Sequence, residues 1–241
     1  MLEASIEKAS SFREGIQSGL SIAIGYFPIA IAFGLLSKTT GLTLFETVLM
    51  SLVVFAGASQ YMSLSLIASG AGAFVIIFTT FVVNIRHFLM SASLSEKVEP
   101  EKSLIKSLYA FGITDETFSV MATKAGSVST GFAFGVVGIS YASWVISSGI
   151  GFAIGASLPQ VLQESMTVAL YAMFIGLLVP SMKKSMKVVY LAILAAVFNS
   201  IFLFSKTLED GWAIVTSTIL SAVIIEFVET MKRRKRGISD E

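Results

Sequence analysis

The chain is 241 residues long, 54% hydrophobic and only 14% charged, with a mean hydropathy of +0.81. These values exclude an ordinary soluble domain, and the charge lies in short clusters between apolar runs that approach or exceed the length of a membrane span. Because these runs lack a period of two, the spans are predicted to be helices. We therefore expect an all-α protein, a polytopic transmembrane helical bundle that forms a single domain over residues 1–241.

The charged termini give the first indication of topology. A net charge of +1 gives no reason to expect a nucleic-acid partner, and the absence of cysteine excludes disulfides and thiolate sites. Residues 1–15 are polar with mixed charge, unlike the basic leader of a signal peptide, so the first helix is expected to be retained as an anchor. The basic tail at 231–241 and the lysine-rich turn at 183–187 are predicted to share the cytoplasmic side.

The first predicted span, Ile16–Ser37, contains a proline near its middle. Pro28 removes the hydrogen bond to the carbonyl of Ile24, so the helix is expected to be kinked or broken there. One alternative is a kink that packing tolerates, and the other is a discontinuous helix whose freed backbone groups line a substrate path. Gly25 and Tyr26 lie beside the proline.

The second predicted span, Phe45–Ala68, carries small and polar residues in its interior. Gly57, Ser59 and Gln60 would lie at membrane depth. They are candidates to supply a small surface and hydrogen bonds to a solute.

The third predicted span, Phe74–Leu94, places Asn84, Arg86 and His87, the only histidine, inside an apolar run. An ionisable group at the centre of a bilayer costs at least about 2.5 to 3.5 kcal/mol, so Arg86 is expected to face a cavity or a partner. The alternative is that these polar groups only bond a neighbouring helix. The polar stripe on one face of this helix consists of Thr80, Asn84, His87 and Ser91.

The run Leu104–Ala122 is interrupted by a polar stretch at Gly112–Thr117. Thr114 or Asp115 is predicted to cap a second half-helix that begins near Glu116, which makes a broken or re-entrant element whose positive end favours an anion. The alternative is a loop at the membrane interface with solvated carboxylates.

Four more apolar runs complete the chain. The first is glycine-rich and suited to close helix approach. Asn199 and Glu226 are polar exceptions, and Glu226 is expected to reach toward the basic tail. If Leu104–Ala122 crosses the membrane, the chain has eight spans and both termini lie in the cytoplasm. If it only dips into the membrane, the chain has seven spans and the N-terminus lies outside; we prefer this second topology. The four runs are Thr130–Leu158, Met166–Val179, Val188–Phe204 and Trp212–Val228.

Several classes of function are excluded. One histidine and scattered carboxylates do not form a metal site, no cofactor is expected, and without a phosphate-binding loop the chain alone is not ATP-driven. An intramembrane hydrolase using Ser59 and His87 lacks the usual serine elbow. Buried charges, backbone breaks and small-residue packing instead favour secondary transport of a small polar or zwitterionic solute, with His87, Asp115 and Glu116 able to exchange protons. The first span and the glycine-rich span begin the two halves of the sequence in a similar way, which hints at an internal repeat.

Several short motifs follow one another along the chain. They are Gly25-Tyr26-Phe27-Pro28 with Phe33-Gly34, Phe55-Ala56-Gly57-Ala58-Ser59-Gln60, Asn84-Ile85-Arg86-His87 with Ser91-Ala92-Ser93-Leu94, and Thr114-Asp115-Glu116-Thr117-Phe118. Their combination resembles the AzlC family over nearly the whole chain. The resemblance implies the large subunit of a bacterial branched-chain amino acid exporter in the cytoplasmic membrane, working with a small membrane partner of the AzlD type. It implies export of leucine, isoleucine, valine, often methionine, or analogues such as azaleucine, driven by the proton gradient.

The chemistry of the side chains suggests roles. Arg86 would bind the substrate carboxylate through two parallel donors, Asp115 or Glu116 would take the ammonium or the coupled proton, and His87 could bind a proton. A transporter of another small solute and a non-transporting scaffold or sensor are the alternatives. The predicted substrate contacts are Arg86, Asn84, Gln60, Ser59, Gly57 and Tyr26. The predicted hinges are Pro28, Gly25 and Gly112.

Overall fold

The computed structural model describes residues 2–155, 185–208 and 210–237, together with residues 175, 178, 179, 182 and 183. The chain divides into two compact units, unit 1 (Met1–Leu64 and Val83–Leu170) and unit 2 (Ser65–Val82 and Tyr171–Glu241). The described residues are all-α, with nine bounded helices: α1 (Leu2–Thr39), α2 (Leu44–Val53), α3 (Gly57–Ala68), α4 (Ala73–Ser95), α5 (Ser103–Ala110), α6 (Asp115–Thr123), α7 (Thr130–Ile154), α8 (Met186–Ser205) and α9 (Asp210–Gly237).

Five helices in the described residues are long and apolar enough to cross a membrane, as a polytopic helical membrane protein requires. They are Ser10–Thr39, Ala73–Ser95, Thr130–Ile154, Met186–Ser205 and Trp212–Met231. The glycine-rich span ends as a helix at Ile154, and Met166–Val179 lies outside the described residues except for positions 175, 178 and 179. The structure confirms the predicted spans Phe74–Leu94, Val188–Phe204 and Trp212–Val228.

α1 continues without interruption through Pro28, so the predicted alternative of a discontinuous first span is wrong. The helix extends well beyond the predicted Ile16–Ser37, and its other hydrogen bonds carry it past one missing donor. The predicted spans are instead interrupted between α2 and α3 and between α5 and α6, where the backbone leaves the helical conformation.

α1 and α7 run parallel with their backbones in close contact. A Cβ at Gly15 would lie 2.3 Å from the carbonyl oxygen of Phe132, and a Cβ at Gly34 would lie 2.1 Å from that of Ser148. Both helices therefore run in the same direction along the contact. Glycine permits this approach, and close van der Waals packing is what associates helices in lipid.

The second predicted span, Phe45–Ala68, is wrong as a single helix because the chain breaks at residues 54–56. Along α2 the contacts with α7 move from Gly149 back to Tyr141, so α2 runs antiparallel to α7. The hydroxyl of Tyr141 donates to the carbonyl of Leu52 at 2.7 Å. A neighbouring helix thus supplies the partner that irregular backbone needs at membrane depth.

α3 returns in the opposite direction. The ring of Phe55, just before α3, packs edge-on against Tyr26 of α1, with centroids 6.1 Å apart. Further along, the hydroxyl of Tyr61 donates to the carbonyl of Ile29 at 2.7 Å. α3 therefore runs parallel to α1, whereas α2 runs antiparallel to α7, which is itself parallel to α1. It follows that α2 and α3 form a hairpin that enters and leaves unit 1 at the same end.

The interruption predicted within Leu104–Ala122 is confirmed. α6 begins after Thr114, whose hydroxyl accepts from the amide of Thr117 at 3.2 Å while the Thr117 hydroxyl accepts from the Thr114 amide at 2.7 Å. This reciprocal capping box starts a helix in the middle of an otherwise apolar run.

α5 and α6 form a second hairpin. The hydroxyl of Tyr26 on α1 bonds the capping Thr114, whereas Lys124, just after α6, pairs with Glu14 near the start of α1. α6 therefore runs antiparallel to α1 and back to the end at which α1 enters unit 1. Val98, just after α4, forms a β-bridge with Val128 just before α7, so the second hairpin enters from the end opposite to the first.

The tips of the two hairpins meet at one level of unit 1. Tyr141 packs against Phe55 of the first tip and Phe111 of the second, with centroid distances of 5.2 and 6.0 Å. Tyr26 contacts Phe55 and bonds Thr114. A long helix followed by a hairpin thus occurs twice, as α1–α3 and as α4–α6, whereas the two spans that hinted at a repeat lie side by side as α1 and α7.

Unit 2 contains the antiparallel helices α8 and α9. The ammonium of Lys187 pairs with Glu226 at 2.7 Å and with Glu229 at 2.9 Å. This contact brings the lysine turn beside the residues of α9 that precede the tail, as a shared side requires. Glu226, expected to reach toward the basic tail, bonds instead a lysine at the start of the preceding helix. Asn199 Oδ1 is buried without a partner among the described residues.

Candidate functional site

An ion pair joins the middle of α4 to the start of α6. The guanidinium of Arg86 lies 2.6 Å from the carboxylate of Asp115, and the two side chains are 36% and 37% exposed. α4 supplies a long apolar helix that carries the arginine, and the Thr114 cap fixes the first turn of α6 that presents the carboxylate. The structure thus brings together two residues that the sequence predicted separately.

Unpaired polar atoms lie on the same stretch of α4 as Arg86. Arg86 Nε, Asn84 Oδ1 and His87 Nε2 are buried without a partner among the described residues. The imidazole of His87 lies within interaction range of the carbonyl of Ile113 and of both carboxylates at the start of α6. Buried polar atoms normally have partners, so these three atoms are candidates for bonds to a ligand, to water or to residues outside the described part of the chain.

Tyr26 connects α1 to the same turn of α6. Its hydroxyl donates to Glu116 Oε2 at 2.5 Å and lies 2.6 Å from Thr114 Oγ1. The side chain is 6% exposed, and its ring packs edge-on against Trp144 at 5.2 Å. Sequence reasoning assigned Tyr26 to the substrate and missed its bond to Glu116, because no local pattern links residues on distant helices.

The five side chains Tyr26, Arg86, His87, Asp115 and Glu116 are called here the charged cluster. They come from α1, α4 and α6, which meet where the second hairpin has its tip. The described residues contain no group of His, Cys, Asp and Glu side chains that could hold a metal ion. The charged cluster itself offers ion pairing and hydrogen bonding.

Gln60 belongs to a separate buried network. Its carbonyl oxygen accepts from the indole of Trp144 at 2.8 Å, and its amide donates to Ser51 at 3.1 Å. Ser51 in turn donates to Ser148 at 2.9 Å. The Gln60 side chain is fully buried and bonded at both ends, so its predicted contact with the substrate stays a prediction.

Gly57 and Ser59 also lie on the Gln60 side of the hairpin tip. A Cβ at Gly57 would lie 2.7 Å from the indole of Trp144, so this glycine makes room for the ring that Gln60 bonds. Ser59 donates to the carbonyl of Ala56 at 2.9 Å and is fully buried. Gly57 therefore packs against Trp144, whose ring also packs against Tyr26 of the charged cluster, and the predicted substrate contacts of Gly57 and Ser59 stay predictions.

The predicted hinges occupy different environments. A Cβ at Gly25 would meet nothing within 4 Å, whereas one at Gly112 would lie 2.0 Å from a methyl group of Val137. Gly112 is therefore a site of close packing between the second hairpin and α7. Hinge motion at these positions and at Pro28 stays a prediction.

Comparison with known proteins identifies the family. The model of the AzlC protein family matches residues 21–158, more than half of the chain. The chain belongs to the AzlC family. This AzlC-family protein is 30% identical over 205 residues to "Inner membrane protein YgaZ" of Escherichia coli, which covers 82% of the chain and 84% of the relative.

Two further relatives extend the comparison. An "Uncharacterized membrane protein" of Archaeoglobus fulgidus is 32% identical over 181 residues, or 74% of this AzlC-family chain and 80% of the relative. The "Branched-chain amino acid transport protein AzlC" of Bacillus subtilis is 26% identical over 182 residues, or 74% and 70%. No solved structure matches. The matched segment 21–158 contains both hairpins and the entire charged cluster.

Proposed function

We propose that this AzlC-family protein exports branched-chain amino acids, with methionine or close analogues as further substrates, across the cytoplasmic membrane. Export is driven by the proton gradient and requires a small partner of the AzlD type. The family membership and the name of the Bacillus subtilis relative support the substrate class. The observation that carries the mechanism is the ion pair between Arg86 and Asp115 at the tip of the second hairpin.

The ion pair between Arg86 and Asp115 contains one positive and one negative charge, as the proposed substrate does. An amino acid carries a carboxylate and an ammonium on neighbouring atoms, so it can replace both members of the pair at once. Arg86 would then bind the substrate carboxylate through parallel donors, and Asp115 would accept its ammonium. Removing one member of such a pair leaves an uncompensated charge, whereas a zwitterion leaves none.

The same geometry supports a topology in which the two hairpins enter the membrane from opposite sides without crossing it. The five long helices and Met166–Val179 then make six spans, one fewer than the lower predicted count, because Phe45–Ala68 turns back. At the end of unit 1 where α1 begins, basic residues are concentrated, which the positive-inside rule assigns to the cytoplasm. Those residues are Arg13, Lys97, Lys102, Lys106 and Lys124.

The test is export of labelled valine from loaded cells that co-express the partner. Arg86→Ala and Asp115→Ala are each expected to abolish export. The double variant removes both charges, so it should accumulate in the membrane like the wild type and still not export. Lys124→Ala breaks a different ion pair of unit 1, with Glu14, and should retain export. Normal export by Arg86→Ala contradicts the proposed mechanism, and no valine export by the wild type contradicts the proposed function.

A further inference from the structure

The two adjacent carboxylates at the start of α6 have different partners. Asp115 pairs with Arg86, but no cation of the described residues lies within ion-pair distance of Glu116. Glu116 instead accepts from the neutral hydroxyl of Tyr26 at 2.5 Å. One hydrogen bond from a buried tyrosine fixes the position of this carboxylate in the first turn of α6. A carboxylate held this way can be neutralised by a proton without losing an ion pair.

We propose that Glu116 is the proton-carrying group of this transporter and that Tyr26 couples its charge to the position of the α5–α6 hairpin. This inference rests on the proposed function and assigns Asp115 to substrate binding and Glu116 to coupling. A proton from external water forms an O–H bond on Glu116, and the same proton later passes to cytoplasmic water, which restores the carboxylate. The protein is unchanged over the cycle.

The bond from Tyr26 links this protonation to movement. Tyr26 lies on α1, while Glu116 and Thr114 lie on the hairpin. These two hydrogen bonds therefore join the hairpin tip to α1. A hydrogen bond to a charged acceptor is roughly twice as strong as one to a neutral acceptor. Protonation of Glu116 therefore weakens the attachment of the hairpin to α1, and loss of the proton restores it.

The other titratable groups near Glu116 do not duplicate this arrangement. Arg86 of α4 is paired with Asp115. Tyr141, the only titratable residue of α7, donates to the carbonyl of Leu52 in the other hairpin. The titratable and charged groups on the elements packed around Glu116 are Tyr26 of α1, Arg86 and His87 of α4, Lys106 and Tyr109 of α5, Asp115 of α6 and Tyr141 of α7.

The experiment uses inside-out membrane vesicles that contain the full chain and its partner. Uptake of labelled valine is measured with an acidic interior, and valine exchange is measured without a pH gradient. In Glu116→Gln, gradient-driven uptake should be lost while exchange is retained, because exchange moves valine in both directions without net transfer of a proton. Asp115→Asn should lose both. Gradient-driven uptake by Glu116→Gln with the wild-type dependence on pH overturns the proposal.

A second variant decides the matter if Glu116→Gln does not reach the membrane. Tyr26→Phe removes the hydroxyl that joins Glu116 to α1, so the attachment of the hairpin no longer depends on the charge of Glu116. The pH dependence of uptake should then differ from that of the wild type, and Tyr109→Phe, the control on α5, should keep the wild-type pH dependence. An unshifted profile in Tyr26→Phe overturns the proposal. A wild type that moves no valine refutes the proposed function instead, so the two failures are distinguishable.

Discussion

The contact between α1 and α7 gives a prediction that two glycines of the same helix can test. A Cβ at Gly34 would lie 2.1 Å from the carbonyl oxygen of Ser148 and 2.6 Å from the amide nitrogen of Phe152, whereas a Cβ at Gly25 would meet nothing within 4 Å. Both obstacles at Gly34 are backbone atoms, which cannot rotate away. Gly34→Ala should therefore force the helices apart, and Gly25→Ala should not.

The size of the effect follows from these distances. Moving from 2.1 Å to an ordinary contact of 3.4 Å requires the two backbones to separate by about 1.3 Å. Overpacking of this kind costs typically about 1 to 3 kcal/mol. Replacing glycine by alanine within a helix returns up to about 1 kcal/mol, but both variants gain it. The difference between them isolates the steric term.

The assay is thermal unfolding of the two purified variants in the same detergent. In chains of 150–250 residues, 1 kcal/mol shifts the midpoint by about 2 to 4 °C, so Gly34→Ala should unfold roughly 2 to 12 °C below Gly25→Ala. Gly25→Ala itself should match or slightly exceed the wild type. Equal midpoints for the two variants would show that α1 and α7 do not approach each other at Gly34 as closely as described.

Two further predictions concern the second hairpin. Gly112→Ala should destabilise the protein by about 1 to 3 kcal/mol because its Cβ would overlap Val137; Val137→Ala in the same chain should recover most of that loss, and a thermal-midpoint comparison of the single and double variants checks it. Thr114→Val keeps the shape but removes the α6 cap, so it should cost about 1 kcal/mol and lower the same midpoint, while Thr123→Val, at the other end of α6, should not.

Local signals made one of the two backbone breaks predictable. The polar stretch from Gly112 to Thr117 contains a capping pattern, and the structure forms that cap at Thr114. The break at residues 54–56 has no proline or polar cap, and it is supported by the hydroxyl of Tyr141 from a helix far along the chain. Pro28 predicted a kink or a break, but α1 contains no break there, since a long helix tolerates one lost donor.

The candidate site was predictable in its members but not in their pairing. The cost of burying charge identified Arg86 and the two carboxylates of α6 from composition alone. Which carboxylate meets the guanidinium depends on how the first turn of α6 faces α4, and sequence separation carries no such information. The same limit hid the contact of Glu116 with Tyr26, which requires α1 and the hairpin tip to lie side by side.

The charge of the cluster connects substrate binding with proton binding. With His87 neutral, Arg86 contributes one positive charge and Asp115 and Glu116 contribute two negative charges, which leaves one uncompensated negative charge at the hairpin tip. A zwitterionic amino acid that replaces the internal ion pair does not change this sum. A proton on Glu116 reduces it to zero. The cluster that carries substrate outward with Glu116 ionised and the cluster that returns with Glu116 protonated therefore differ by one charge, and this is the charge that the proton gradient carries inward.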